Sequence, residues 1–185
     1  MNPTTNITDE QELVQAILDG DKQRYSEIVS HFSTAIANLS YKLAGEKLEV
    51  EEVVQEVLVE LYLSLPRFRF GSKLSTYVYR ITVNTVAKKL KKLGRIQRMS
   101  DYTENTNAQL HQHSAEDNIV NDDRQNELLK AIAQLKYEQR TALTLFYYEE
   151  LSYKEIAETM NISLAKTESL IFRAKQNLKK MIDEQ

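Results

Sequence analysis

Apolar residues recur three and four positions apart along most of this chain. Because an α-helix has about 3.6 residues per turn, this spacing lines up apolar side chains on one face of a helix. The longest stretch is predicted to begin after Asp19-Gly20-Asp21 and to end near Gly45, since glycine tolerates the left-handed backbone that follows a helix. Its apolar members are Tyr25, Ile28, Val29, Phe32, Ile36, Leu39 and Leu43. With only 4 Gly and 2 Pro among 185 residues, the chain is predicted to be all-α.

Composition divides the chain into two small helical domains and a linker. Residues 1–98 and 124–185 carry the helical spacing, whereas the stretch between them is rich in Asn, Gln, Asp, Glu and His. Such a segment buries too little apolar surface to order itself, so residues 99–123 are predicted to form a flexible acidic linker. His111 and His113 lie in this linker without a third ligand nearby, and we expect no metal site there.

The chain offers few features of an enzyme or of a membrane protein. It has no cysteine, and no glycine-rich phosphate loop, nucleophile with its base, or pair of catalytic carboxylates stands out. We therefore predict no catalytic residue, no metal and no cofactor. Residues 1–9 lack the apolar core of a signal peptide, and no apolar run is long enough to span a bilayer. We expect a cytoplasmic protein without direct membrane insertion.

The strongest local pattern lies in the second domain. Ser152 and Glu155 have the spacing of a capping box, and Asn161 followed by Ser163 predicts a tight turn that caps the next helix. A short helix, a turn and a longer helix form a helix-turn-helix, whose second helix enters the DNA major groove; an ordinary helical hairpin is the alternative. The outward side chains predicted to contact DNA are Lys166, Glu168, Ser169, Phe172, Arg173 and Lys175.

A helix predicted from Glu49 to Leu65, ended by Pro66, has one apolar side and one acidic side. The acidic side comprises Glu49, Glu52, Gln55, Glu56 and Glu60. Taken alone, such a face is either solvated or a docking surface for a basic partner protein.

Aromatic and basic residues lie together after this helix. The stretch Phe68–Lys73 is expected to form a loop with exposed aromatic rings and cations, and Tyr77 and Tyr79 follow in a helix that runs to about Leu93. The stretch Lys88–Arg98 is basic and contains no acid. Because bases stack on aromatic rings and cations neutralise phosphates, these residues predict a surface for single-stranded nucleic acid.

This order of features resembles the extracytoplasmic-function group of bacterial RNA polymerase sigma factors. Glu49–Val57, Phe68 and Ser75–Asn84 look like the family's region-two domain, and Leu151–Ala157 with Ile171–Leu178 looks like its region-four domain. Together the two domains cover nearly the whole chain. The resemblance implies a factor without catalytic activity that binds core RNA polymerase. It would direct promoter-specific initiation by recognising and melting promoter DNA.

The resemblance also implies roles for individual residues. Docking on the coiled coil of the polymerase β′ subunit would involve Glu49, Glu52, Gln55 and Glu56. Recognition and unstacking of the minus-ten promoter element would involve Phe68, Tyr77, Tyr79, Arg80 and Asn84, with phosphates held by Lys88 and Lys89. Residues 164–175 match the helix that reads the minus-thirty-five element. The implied partners are the β′ and β subunits of core polymerase, promoter DNA and, in many members, an anti-sigma factor.

The chain departs from the family's common pattern at several positions. Glu49 and Glu52 stand where Asp is common, Tyr77 stands where Trp is common, and Lys136 replaces the usual Pro. Glu168 replaces a cation of the recognition helix. A carboxylate there can accept a hydrogen bond from a cytosine amine, but it repels phosphate.

The net charge of −3 bears on the alternatives. A stand-alone DNA binder usually carries a basic excess, whereas a sigma factor borrows the polymerase's affinity for DNA. The alternative function is an autonomous helix-turn-helix transcription regulator that binds duplex DNA without polymerase. A third possibility, an interaction module without nucleic acid, leaves the Lys88–Arg98 cluster unexplained.

Overall fold

The computed structural model describes residues 10–103 and 131–183, and its side chains are described for residues 10–95 and 131–182. Most of the predicted linker, including His111 and His113, lies outside these residues. Every regular element in the described ranges is helical, which confirms the all-α prediction. None of the described helices is long and apolar enough to cross a membrane.

The first half of the molecule contains four α-helices. These are α1 (Glu10–Leu18), α2 (Tyr25–Ala44), α3 (Val50–Ser64) and α4 (Leu74–Thr103). Helices α2, α3 and α4 pack against one another, and α1 covers one end of this group. Because each helix buries its apolar stripe against the others, the group forms a hydrophobic core that fixes the outward faces of α3 and α4.

The helix ends follow the predicted stop signals. Gly20 and Gly45 have φ angles of 110° and 58°, a region that side chains with a Cβ atom rarely adopt. Pro66 lies in a 3-10 turn, Leu65–Arg67, directly after α3. A further 3-10 turn, Lys22–Arg24, precedes α2, and the Asp21 side chain makes no capping hydrogen bond there.

Helix α4 is longer than the sequence pattern predicted. It runs through Gly94 to Thr103, past the predicted end near Leu93 and into the segment assigned to the linker. A single glycine costs a helix only about 1 kcal/mol relative to alanine, and the Lys and Arg residues around Gly94 are good helix formers. With no proline to stop it, the helix continues beyond its apolar stripe.

The second half contains three complete helices in its described part. Residues 131–134 are helical and precede α5 (Tyr137–Tyr147), α6 (Tyr153–Met160) and α7 (Leu164–Asp183). A small core joins the start of this half to α5 and α7, and its buried members are Ile132, Leu135, Leu143 and Ala174. Helices α6 and α7, with the turn between them, form the predicted helix-turn-helix.

The two halves pack directly against each other. Helix α6 lies against α4, and α5 lies against α2. Apolar residues of the second half therefore belong to the same buried cluster as the core of the first half; they are Ala142, Leu145, Leu151, Ile156, Leu170 and Ile171. The shift in composition predicted two separate units and gave no sign of this shared core.

Candidate polymerase and DNA interfaces

The helix-turn-helix has the local geometry that its sequence predicted. The Ser152 hydroxyl accepts a hydrogen bond from the Glu155 amide at 3.3 Å, and the Glu155 carboxylate accepts one from the Ser152 amide at 2.9 Å. These two bonds complete the capping box of α6. Asn161 has φ 53° and ψ 50°, the left-handed conformation that ends α6. The Ser163 hydroxyl then caps α7 by accepting from the Lys166 amide at 3.2 Å.

Helix α7 presents a polar and cationic outer face. Its inner side is fixed by buried residues, namely Thr167, Leu170, Ile171 and Ala174. The six side chains predicted to contact DNA are all exposed, and Phe172 is 62% exposed. An exposed phenylalanine among polar residues is available for apolar contact with a sugar or a thymine methyl.

Two cations of this face already contact groups of their own half. The Lys166 ammonium lies 3.1 Å from the Glu138 carboxylate. The Lys175 ammonium lies over the rings of Phe146 and Tyr147, 5.0 and 5.3 Å from their centroids. Both contacts are at the surface and therefore weak, so DNA phosphates can compete for these cations.

The acidic side of α3 faces outward as predicted. Glu49, Glu52 and Gln55 are exposed and Glu56 is half-buried. The opposite side is anchored in the core by Val53, Val57 and Leu61, each fully buried.

The acidic side of α3 also contacts the basic part of α4. The Lys89 ammonium lies 2.9 Å from Glu56 and 3.5 Å from Glu52, and Lys88 lies 3.9 Å from Glu56. The hydrogen bond with Glu56 raises the pKa of Lys89 above its ordinary value. Thus the residues predicted to hold DNA phosphates are ion-paired with those predicted to bind polymerase, a relation that neither cluster reveals in the sequence.

Phe68 is buried, so the expectation that it is an exposed loop aromatic is wrong. Its side chain is 8% exposed and its ring lies 4.9 Å from that of Phe70 and 5.0 Å from that of Tyr77. The Phe68 amide donates to the Leu65 carbonyl at 3.0 Å, so the chain turns back on the end of α3. This turn directs the ring inward, where it gains contacts with two other aromatic rings.

The other predicted minus-ten residues differ in accessibility. Asn84 is exposed, whereas Tyr79 is only 6% exposed. Burial, together with a hydrogen bond and the charge of Glu149, raises the pKa of the Tyr79 hydroxyl well above its ordinary value. Glu149 belongs to the second half of the molecule, so the tyrosine is covered from across the boundary.

Arg80 is also engaged across the boundary. Its Nε and Nη2 atoms donate to the Glu158 backbone carbonyl at 3.1 and 2.8 Å. Nearby, the Lys73 ammonium lies 2.8 Å from Glu155. The Tyr137 hydroxyl donates to the Val83 carbonyl at 2.8 Å. Sequence reasoning missed this set of partners, because a backbone carbonyl or a lone glutamate carries no local pattern that points to a residue far along the chain.

Two protein-family models match the chain in the order of its two halves. The model described as Sigma-70 region 2 matches residues 28–96, and the model described as Sigma-70, region 4 matches residues 125–178. The first range includes α3, the aromatic loop and most of α4, and the second includes the helix-turn-helix. Sigma factors are not known as catalytic enzymes.

Curated relatives resemble the chain over nearly its whole length. The RNA polymerase sigma-H factor of Pseudomonas aeruginosa is 32% identical over 94% of this chain and 93% of that protein. The ECF RNA polymerase sigma-E factor of Haemophilus influenzae is 31% identical over 95% of this chain and 96% of that protein.

Two solved structures of protein complexes contain chains with the same fold. One is RpoE in complex with the anti-sigma factor NepR from Bartonella quintana, with a TM-score of 0.67, 21% identity and coverage of 86% of this chain and 96% of that chain. The other is CnrH in complex with the cytosolic domain of CnrY, with a TM-score of 0.66, 18% identity and coverage of 93% and 96%. On the family models and the curated relatives, this chain belongs to the extracytoplasmic-function group of RNA polymerase sigma factors, which direct promoter-specific transcription initiation.

Proposed function

We propose that this sigma factor docks on the β′ subunit of core polymerase through the outer side of α3. The observation that carries the proposal is an outward stripe at helical spacing, in which the exposed Glu52 and the half-buried Glu56 are followed by the exposed Val59 and Leu63. Val59 and Leu63 are 59% and 66% exposed, which is unusual for large apolar side chains on a helix that already buries its other side. Acids beside exposed apolar groups favour a protein docking surface over a solvated face.

The proposed minus-ten surface is the outer side of α4. Arg80, Asn84 and Lys88 recur every four residues, so they share one face of this helix. They offer a guanidinium, an amide and an ammonium to an unpaired base and its phosphates. Aromatic stacking, worth about 1–3 kcal/mol per base, would be supplied by Phe68, Tyr77 and Tyr79 once they become accessible.

The proposed minus-thirty-five surface is the exposed face of α7, with its six predicted side chains. Arg173 and Lys166 suit phosphates or guanine edges, and Glu168 suits a cytosine amine. The proposed further partners are the polymerase β subunit and an anti-sigma factor. The anti-sigma factor is proposed from the complex of RpoE with the anti-sigma factor NepR, whose sigma chain has the same fold. The proposed place of action is the cytoplasm, where polymerase transcribes.

Two variants separate polymerase docking from promoter opening. Glu56→Lys reverses an acid of the α3 stripe and should weaken binding to core polymerase at least tenfold. Because Glu56 also pairs with Lys88 and Lys89, this variant is used only for the binding measurement. Asn84→Ala removes an exposed amide and should leave core binding unchanged. It should abolish permanganate-reactive thymines near the start site of a promoter first identified by run-off transcription from a genomic library.

Asp19→Lys is a matched control, because it reverses one exposed acid directly after α1, outside the α3 stripe. It should behave like the wild type in both assays. Unchanged core binding by a folded Glu56→Lys protein would contradict the docking surface. Promoter opening at the wild-type rate by Asn84→Ala would contradict the role of α4.

A further inference from the structure

We propose that Glu168 determines the base specificity of α7 by selecting a cytosine in the minus-thirty-five element, with Phe172 against a thymine methyl on the neighbouring base pair. This inference rests on the proposed role of α7 in minus-thirty-five binding. It goes beyond that role because it names the bases that the helix requires and the residues that require them.

Glu168 lies where a recognition helix meets base edges. Helix α7 begins at Leu164, so Glu168 stands in its second turn, and the N-terminal part of the second helix in a helix-turn-helix contacts bases. The buried side chains of Thr167 and Ile171 hold the inner side of this turn. The Glu168 side chain is therefore directed outward, where it is exposed.

The Glu168 carboxylate has no compensating charge. It makes no hydrogen bond or ion pair within the part of the chain that the structure describes, whereas Glu138 of α5 lies 3.1 Å from the Lys166 ammonium. No lysine or arginine stands three or four positions from Glu168 along α7. A carboxylate on a surface that approaches phosphates weakens DNA binding at every sequence, unless the DNA supplies a hydrogen-bond donor.

Only two groups on major-groove edges can donate to this carboxylate. They are the amines of cytosine and adenine, whereas guanine and thymine present acceptors at the corresponding positions. An ionised carboxylate only accepts hydrogen bonds. Adenine N7 is a second acceptor beside the amine and opposes the other carboxylate oxygen, and cytosine has no such acceptor. Cytosine is therefore the base that offsets the carboxylate charge best.

Phe172 lies four positions after Glu168 and therefore on the same side of α7. Its side chain is 62% exposed. Side chains three or four positions apart contact successive bases when a helix lies in the major groove, as zinc-finger helices do. The C5 methyl of thymine is an apolar group on the major-groove edge and suits the ring. Glu168 and Phe172 together thus require a cytosine and a thymine on adjacent base pairs.

Cations occupy the other edge of the outward face. Lys166 and Arg173 are seven positions apart, which is close to two helical turns, so they share that edge. Lys175 shares the edge of Glu168 but lies about 10 Å farther along the helix axis. Phosphate neutralisation by Lys166 and Arg173 thus comes from one edge of α7, and base selection by Glu168 comes from the other.

Promoter selection by the holoenzyme measures the base preference directly. The full chain is assembled with core polymerase and given barcoded templates whose minus-thirty-five element is randomised, and the transcripts are sequenced. The wild type should favour cytosine at one position by at least about fivefold, and thymine at an adjacent position. Glu168→Ala should abolish the cytosine preference. Glu168→Gln should move it to adenine, because an amide bonds the adenine amine and N7 together.

Glu46→Gln is the matched control. It neutralises another exposed glutamate, which lies just after α2 and outside the helix-turn-helix. Its base preferences should equal those of the wild type at every position.

Deoxyuridine in place of the selected thymine tests the contact of Phe172. This base lacks only the methyl group and should weaken binding of the wild-type holoenzyme about fourfold, because one buried carbon group is lost. Holoenzyme with Phe172→Ala should bind the thymine and deoxyuridine templates equally, as measured by mobility shift. An equal loss with both proteins would overturn the contact between Phe172 and the methyl group.

The outcomes separate this inference from the proposed function. An unchanged base preference in Glu168→Gln would overturn the inference, and so would tighter binding to every template without a switch. The role of α7 would still be supported if Arg173→Ala weakened promoter binding. If neither the Glu168 variants nor Arg173→Ala changed promoter binding, α7 would not contact the minus-thirty-five element and the proposed function of this helix would itself fail.

Discussion

On α7 all six side chains proposed for DNA contact lie exposed, whereas on α4 and its preceding loop the corresponding groups are largely occupied. Tyr79 is buried, Arg80 is bonded to the Glu158 carbonyl, and Lys89 is paired with Glu56. A helix that reads duplex DNA needs only an exposed polar face. A surface that captures unstacked bases needs accessible aromatic rings. In aqueous solution such rings lose contact with water by packing against any nearby protein surface.

The occupied state of the α4 surface depends first on the hydrophobic core that the two halves share. Leu145→Ala truncates a fully buried side chain of that core and should lower the free energy of unfolding by about 2–5 kcal/mol. Hydrogen exchange should then accelerate in α2 and α4 as well as in α5. The matched variant Leu143→Ala truncates the separate small core of the second half. Leu143→Ala should accelerate hydrogen exchange mainly in the second half. If both variants accelerate exchange in α2 equally, then Leu145 does not belong to a core shared between the halves.

A smaller effect is expected at the exposed surface. Arg173→Ala should weaken binding of the holoenzyme to its promoter by about 1–3 kcal/mol, since one cation contact to the minus-thirty-five element is lost. Lys179→Ala removes an exposed cation farther along the same helix and should have little effect. Neither variant should alter binding of the free chain to single-stranded DNA. A loss there would show that α7, rather than α4, holds the unpaired strand.

The smallest effect concerns the ion pair between Lys73 and Glu155. The Lys73 hydrogen bond, followed by those from Ser152, lowers the pKa of Glu155 from 4.5 to about 2. Because the folded pKa lies below the unfolded one, the stabilisation is present above about pH 4.5 and is lost as the pH falls toward 2. Lys73→Met should raise the pKa of Glu155 part of the way toward 4.5, because the hydrogen bonds from Ser152 remain and still lower it. Carbon-detected NMR titration measures this pKa. Since the Lys73 side chain is 71% exposed, the change in stability should be slight. An unchanged pKa would show that the cap alone lowers it and that the pair is absent in solution.

The sequence by itself determined the helices, the stops at Gly20 and Gly45, the cap and turn of the helix-turn-helix, and the outward faces of α3 and α7. These features are local, because caps, periodicity and left-handed turns depend on residues within about one helical turn of each other. The family resemblance could also be recognised from the sequence, because the motifs that carry it are short and contiguous.

The tertiary structure alone decided which of the proposed DNA groups are accessible. Arg80 and Glu158 are 78 positions apart in the sequence, and Lys73 and Glu155 are 82 apart. Nothing in either local pattern signals the other member. Such pairs arise because the apolar face of the second half is buried most completely against α2 and α4, and the polar groups at the edge of that contact must then find partners across it.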